Sequence, residues 1–450
     1  MSDAMAESLN YPSVKRRSVA SRSYRVKISP SNGQNFVAGQ TVNIDLPSNL
    51  AGTYINWSQC YLKFKVTPET NGFTLDRSGA AGFIQRVQCM TAGAQIFDLP
   101  NWNVLMTILM DGDSSPAYKA GVGNVLMGTN GGTQAGETVA ADTERTYCVP
   151  FVLHPFGMST PHRLQPLFSS SPVQFKITLE SIVTAVQGAT APASLKFDEV
   201  ELVCVFTELS PGAQAQVDQM SGGVYNILAA SYQNVGTTMG ADSAVTANLG
   251  ISVSSLERII VCHRPTASLS TDTITKFSLG NRGKNGLTQY SIFINGEQYP
   301  ARPVVIADKA AEALAEYLLS DHSLVNFDKQ SSFNIAVQSN ASYSGNGLDG
   351  ASAVTGLAEP FIKDAPSGTL SGGLDVSSNI GSFITAVELE TGLSDGRSQR
   401  LYSGVSTISS TVNYRGVYSG AAAAQIDFFA MFTVLLSLNT RGTNTWSVSV

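Results

Sequence analysis

The run Val173-Gln-Phe-Lys-Ile-Thr-Leu-Glu180 alternates apolar and polar residues over eight positions, and few backbones accommodate that pattern. Successive side chains of an extended strand point to opposite faces, so Val173, Phe175, Ile177 and Leu179 share one face and Gln174, Lys176 and Thr178 the other. Gln40-Thr-Val-Asn-Ile-Asp-Leu46, Tyr61-Leu-Lys-Phe-Lys-Val66 and Phe197-Asp-Glu-Val-Glu-Leu-Val-Cys-Val-Phe206 repeat the theme. One packed face and one wet face is the mark of antiparallel sheets. Only two stretches read as helices. Asp308 to Leu319 is rich in helix formers, with Ala311, Leu314, Ala315, Leu318 and Leu319 on one stripe. Trp102 to Met110 follows Asp98-Leu-Pro100, with Asn101 or Asn103 as cap. The expected class is all-β with short helical insertions.

Composition agrees. Charged residues are 14% of the chain, against roughly 25% in an ordinary domain, while 43% apolar residues suffice for real cores. A net charge of −6 argues against a body that condenses nucleic acid over its whole surface, which needs many cations. Residues 1–30 differ from the rest: Lys15, Arg16, Arg17, Arg22, Arg25 and Lys27 oppose only Asp3 and Glu7, a local charge of +4. They read as a basic arm suited to nucleic acid, an anionic lipid surface or an acidic neighbour, with Tyr24-Arg-Val-Lys-Ile28 able to begin a first strand.

The polar, acidic N-terminus lacks the apolar run of a secretory signal. The thirteen-residue apolar run Ile426 to Leu438 contains Asp427, is too short to span a bilayer as a helix, and reads as a buried strand. The five cysteines (Cys60, Cys89, Cys148, Cys204 and Cys262) include no C-x-x-C pair and read as buried thiols from a reducing compartment. Connections at Gly121–Gly136 and Ser339–Gly350 are Gly- and Asn-rich, as surface excursions are.

The halves echo each other. Phe83 to Phe97 runs as a strand, a tight turn at Gly93 and a short strand, then Pro100 and the Leu/Met run; Tyr290 to Pro300 does the same through Gly296 before the Ala/Leu helix. The two glycines are 203 residues apart. The closing strands, Phe197 to Glu208 and Gln425 to Val434, also correspond. Order and spacing that agree at two places indicate a duplicated unit. A cut in the polar stretch Gln214–Gly223, after the Ser210-Pro211-Gly212 breaker, divides the chain into an arm (1–30), a first domain (31–218) and a second (219–450).

Catalytic constellations are hard to assemble. His154 and His162 lie eight apart across two prolines, which is no metal spacing, and His322 stands alone. Cys262 and His263 are neighbours in a strand and point to opposite faces. No nucleophile elbow, P-loop or H-E-x-x-H motif occurs, and the glycine-rich Gly280–Gly286 stretch reads as a flexible turn. Asp198, Glu199 and Glu201 share a strand, as do Glu388 and Glu390. Glu199 and Glu201 fall on one face about 7 Å apart, within the span of glycosidase carboxylates, but the packed face is that of Val200 and Leu202, so they face water. No cofactor, metal or catalytic residue is expected.

Gln289-Tyr-Ser-Ile-Phe-Ile-Asn-Gly-Glu-Gln-Tyr-Pro-Ala-Arg-Pro303 before an Ala/Glu/Leu helix, and Ile84-Gln-Arg-Val87 with Gly93-Ala-Gln-Ile-Phe-Asp98, resemble segments of the double jelly-roll major capsid proteins of the adenovirus and tectivirus lineage. That family also occurs in virophages, polinton-like viruses and adintoviruses. The resemblance covers most of the chain in layout. It implies two consecutive eight-stranded jelly-roll β-sandwich domains and homotrimers that form pseudo-hexameric capsomers of an icosahedral shell in the virion. It further implies penton and minor capsid proteins as partners, and an arm whose Lys15, Arg16, Arg17, Arg22 and Arg25 touch genome or an internal membrane. The other reading is a carbohydrate-binding or adhesion β-sandwich, or a phage tail or spike component. Three tryptophans (Trp57, Trp102 and Trp446) offer little for sugar stacking.

Overall fold

The computed structural model describes residues 21–129, 135–159, 163–188, 190–266, 269, 279–280, 282–283, 285–306, 311–321, 383–390, 404–419, 421 and 423–450. The alternating segments are strands. In the first half they are β1 (Ser21–Ile28), β2 (Thr41–Asp45), β3 (Tyr61–Pro68), β4 (Ile84–Thr91), β5 (Ala94–Leu99), β6 (Arg145–Pro150), β7 (Val173–Leu179) and β8 (Leu195–Leu209). They pair antiparallel as two sheets, β1-β8-β3-β6 and β2-β7-β4-β5. The second half follows with β9 (Val224–Met239), β10 (Ala244–Asn248), β11 (Leu256–Pro265), β12 (Leu287–Ile294), β13 (Glu297–Val305), β14 (Thr385–Glu388), β15 (Val412–Tyr418) and β16 (Ala424–Asn439). Its sheets are β9-β16-β11-β14 and β10-β15-β12-β13. Adding eight to every label of the first half gives the second. Each half is an eight-stranded jelly roll.

Burial follows the two-residue period. β7 alternates buried and half-buried residues along its length, and Phe175 on its inner face meets Trp57 and Phe151 edge-on at 5.4 and 5.3 Å. β16 pairs with β9 and β11 along its two edges and is buried on both faces over most of its length, as expected for Ile426–Leu438. The one charge in that run, Asp427, accepts from Arg264 Nε at 2.6 Å and Gln425 Nε2 at 2.8 Å. Short strands decorate the first half: Phe36–Val37, Thr53–Ile55 and Gln165–Pro166 extend its first sheet, and Phe73–Asp76, Ala135–Val139 and Val186–Gln187 form a small sheet of their own. Trp446–Ser449 adds to β16.

The echoed turns have one geometry. Ala92 and Gly93 have φ of 46° and 82°, and Asn295 and Gly296 have 50° and 85°. Two consecutive positive φ values are what a type I′ hairpin requires. Helices follow in both halves: α1 (Trp102–Asp113), α2 (Pro116–Ala120) and α3 (Val122–Met127) lie between β5 and β6; α4 (Pro211–Ser221) joins β8 to β9; α5 (Ala311–Asp321) lies between β13 and β14.

Four expectations need correction. Ser210-Pro211-Gly212 starts a helix rather than only ending a strand: Ser210 Oγ accepts from Ala213 N and proline occupies the first turn, the usual N-terminal signature. The Gly121–Gly136 connection contains α3 and the start of a strand, while Ser339–Gly350 lies outside the described residues. In α5 the buried residues are Ala313, Tyr317 and Ser320, and Leu319 of the anticipated stripe is exposed; the neighbour that Tyr317 packs against selects the face. Asn101 precedes α1 in a left-handed conformation without a side-chain capping bond.

An alanine at φ 46° carries a strain of about 1 kcal/mol that asparagine tolerates better. Ala92→Asn, which copies the second turn into the first, is expected to raise stability by about 0.5–1 kcal/mol in denaturant titrations.

Candidate functional site

Five charged residues that do not face water converge between the two sandwiches. Asp76 and Arg77 follow the short strand Phe73–Asp76, Asp111 lies in the last turn of α1, and Lys119 lies in α2. From the second sandwich come Leu279, Gly280 and Arg282, just ahead of β12. Asp76, Arg77, Asp111, Lys119 and Arg282 are each 1% exposed or less. Asp111 accepts from Lys119 Nζ at 2.8 Å and from Arg282 Nη2, with Arg77 Nη2 at 3.7 Å. Asp76 accepts from the amides of Leu279 and Gly280 at 3.0 and 2.8 Å, and Arg77 Nη2 donates to Gly280 O.

Local sequence explains how these groups reach one another. Ser115 caps α2 by accepting from Tyr118 N, which folds α2 back so that Lys119, eight residues on, points at Asp111. A Cβ at Gly112 would overlap the Tyr317 hydroxyl, so glycine lets α1 and α5 approach. Burial alone would raise the Asp111 pKa, but Arg77, Lys119 and Arg282 outweigh it and hold the carboxyl well below the usual range. Burial pushes Lys119 down, against the pull of Asp111, and pushes Asp76 up despite Arg77 and the amides.

Neutral contacts continue the seam. Ser159 bridges to Ala229 of β9, Asn101 Nδ2 donates to Asn234 Oδ1 at 3.1 Å, and Asn444 Nδ2 donates to Phe168 O at 3.0 Å. Phe168 meets Tyr225 and Phe156 meets Trp446 edge-on at 5.4 and 5.0 Å. The buried apolar residues of both sandwiches form one cluster. The seam therefore fixes the angle between the sandwiches.

The basic segment falls in two parts. Lys15, Arg16 and Arg17 lie outside the described residues. The arm read over residues 1–30 is a paired strand from Ser21 onward, because its alternating residues complete the edge of the first sheet. Arg22 Nε donates to Glu208 Oε2 at 2.8 Å, and its guanidinium lies over the Tyr24 ring. Arg25 is exposed. Lys27 pairs with Glu201 at 3.0 Å. Glu199 and Glu201 face outward as expected, Glu199 lying within a bulge at which the register slips between Asp198 and Glu201. Lys65 approaches Glu199 at 2.8 Å and Lys63 approaches both glutamates at 3.4 and 3.7 Å. Hydrogen bonding from Lys65 holds Glu199 below the usual carboxylate range, so it keeps no proton to donate to a leaving group.

The remaining candidates are packed. His154 is buried beside Trp57 and Phe175, with Nε2 3.2 Å from Phe151 O. His263 is buried with Nε2 2.9 Å from Tyr418 Oη. His162 and His322 lie outside the described residues. Cys60, Cys89, Cys204 and Cys262 are buried and Cys148 is half-buried, all as free thiols. Among the described residues no group of three His, Cys, Asp or Glu side chains is arranged to hold a metal. The Gly280–Gly286 stretch is not simply a flexible turn, since Arg282 is sealed in the seam. Sequence reasoning passed over Asp111, Lys119 and Arg282; the available signal was a carboxylate closing the apolar run Ile108-Leu-Met-Asp111.

Removing the shared anion leaves three buried cations without their counter-charge. Asp111→Asn is expected to cost on the order of 3 kcal/mol in denaturant unfolding. Burial pushes His154 down to about 3 and His263 down to about 4, from 6.5. The unfolded chain takes up these protons near pH 6.5 and the folded chain does not, so stability present above that pH is lost as the pH falls through the window toward 4 and 3. The loss from about pH 7 to pH 5 is about 2 kcal/mol per histidine. Denaturant midpoints at the two pH values check this, and His263→Gln should show the smaller drop.

No family model and no curated protein matches the sequence. Solved structures do. The chain is similar to the PBCV-1 virus capsid protein at a TM-score of 0.60 and 11% identity, covering 98% of this chain and 99% of that one. It is similar to the Faustovirus major capsid protein at 0.53 and 9% identity (94% and 91% covered), and to a chain of the Sputnik virophage structure at 0.50 and 10% identity (99% and 92%). Two eight-stranded sandwiches in succession, each with helices after its fifth strand, match these proteins over nearly their whole length: this chain has the double jelly-roll fold of viral major capsid proteins.

Proposed function

We propose that the chain is a viral major capsid protein, a structural subunit whose work is self-association and not catalysis. The observation that carries this reading is the strand-for-strand repetition of one sandwich, with the two copies locked together by a buried polar seam. Two like blocks at a fixed angle supply two of the six places of a pseudo-hexagonal capsomer, and three chains complete it. Such a capsomer tiles a shell, with penton and minor proteins at positions it does not fit. Flanks of low charge suit close neighbours, since like charge on every side repels.

In this reading the N-terminal segment contacts a polyanion, the genome or an anionic bilayer, through Lys15, Arg16 and Arg17. Arg25 adds an exposed cation, and Arg22, held by Glu208, extends the positive stripe. Synthesis inside the host cell and residence in the virion complete the proposal.

Sedimentation and negative-stain microscopy of the full chain test it. The expected result is a species of three times 47.6 kDa, or shells. Deleting residues 1–20, which leaves β1 whole, should preserve assembly and reduce the nucleic acid or lipid in particles; unchanged content removes the arm's role. A persistent monomer that binds glycans overturns the capsid reading in favour of a binding module.

A further inference from the structure

The two sandwiches agree strand for strand, yet their corresponding edge strands have different surroundings. β9 pairs with β16 along its whole length, and its other edge is covered by the first sandwich. There Ala230 N donates to Met158 O at 3.2 Å, Ser159 bridges Ala229, and Arg163 Nη1 donates to Asn226 O at 3.3 Å. Tyr225, Ile227, Ala229 and Ser231 of β9 are buried. β1 holds the same place in the first sandwich, paired with β8 from Ser21 opposite Leu209 to Ile28 opposite Leu202. Its residues 21–25 are all exposed, Tyr24 at 40%.

The direction of the β1 main chain follows from β8. Leu209 N donates to Gly52 O at 2.8 Å, and Val205 O accepts from Asn56 N at 3.0 Å. The odd-numbered residues there turn their main chain away from β1, and the even-numbered ones turn toward it. Arg22, Tyr24 and Val26, opposite Glu208, Phe206 and Cys204, therefore bond to β8. Ser23 and Thr207, a pair without main-chain bonds, touch through their hydroxyls at 3.0 Å. The N–H and C=O groups of Ser23, Arg25 and Lys27 point out from the sheet, where no described residue meets them.

We propose that this outer edge of β1 receives the second sandwich of another copy, as β9 receives the first sandwich within one chain. A bare edge with unpaired main-chain groups is a template for pairing, and proteins normally cover or disrupt it. Here the chain itself displays the covering contact, between unlike sandwiches at the equivalent edge. Repeated between chains, it is a head-to-tail contact of the kind that closes rings. The proposal rests on the self-assembly reading and names the surface through which assembly occurs.

Arg25→Pro deletes an outward N–H and spares the bonds to β8; Arg25→Ala removes only the side chain. The full-length protein is followed by sedimentation and by hydrogen exchange resolved to single amides. In the wild-type assembly the amides of Ser23, Arg25 and Lys27 should be as protected as those of Arg22, Tyr24 and Val26. Arg25→Pro should weaken association by about tenfold or more, with Arg25→Ala close to wild type. If the wild type assembles while those outward amides exchange like unstructured ones, edge docking is wrong and self-assembly stands. A wild type that stays monomeric overturns both. The exchange result decides even if the proline variant fails to fold.

Discussion

Three cations from three separate segments meet on the carboxylate of Asp111, and the relation between the two sandwiches depends on that meeting. Lys119 arrives from α2, Arg77 from the small sheet and Arg282 from the second sandwich. A charge withdrawn from water is costly unless a partner lies within hydrogen-bonding reach. Apolar contact between sandwiches is non-directional and tolerates sliding; a shared buried carboxylate does not. The Asp76 carboxylate, bound to two amides of the other sandwich, adds a second fixed point. Orientation across the seam is thus set by polar groups, and adhesion by the apolar cluster around them.

Duplication gives this seam its significance. The same eight-strand order appears twice, with positive-φ turn pairs at matching places and helices after the fifth strand of each sandwich. Equivalent elements then acquire different duties according to what lies beside them. β9 is largely buried beneath the first sandwich, while β1 is exposed among the described residues. α1 and α2 supply the seam's anion and one of its cations, whereas α5 contributes the bulk of Tyr317 against Gly112.

The outer face of the first sheet handles charge in another way. Lys27, Lys63 and Lys65 interleave with Glu199, Glu201 and Glu144 across adjacent strands. Exposed pairs of this kind contribute little to stability. They leave a face of balanced sign, which a neighbour could approach without repulsion.

Period-two alternation was enough to identify the most regular strands, because a strand's two faces are set by its own residues; Arg145–Pro150, Val224–Met239 and Val412–Tyr418 were not read from it. Val173 to Leu179 and Tyr61 to Val66 were legible for that reason, and so was the turn at Gly93 and Gly296, whose φ values glycine accommodates. The helix over Pro211–Ser221 was written in Ser210 and Pro211 but masked by a weakly apolar body. The buried face of α5 was not legible, since Tyr317 turns inward only where Gly112 leaves room for it. Neither was the seam: Asp76, Arg77, Asp111, Lys119 and Arg282 are spread over some two hundred positions, and in a linear chain they look like ordinary solvated charges. The sequence by itself determined the most regular strands and the echo between the two halves, because those are local periodicities. Tertiary structure alone decided which charges are buried, which edge is covered and how the two sandwiches face each other, because those depend on groups that folding brings together from distant positions.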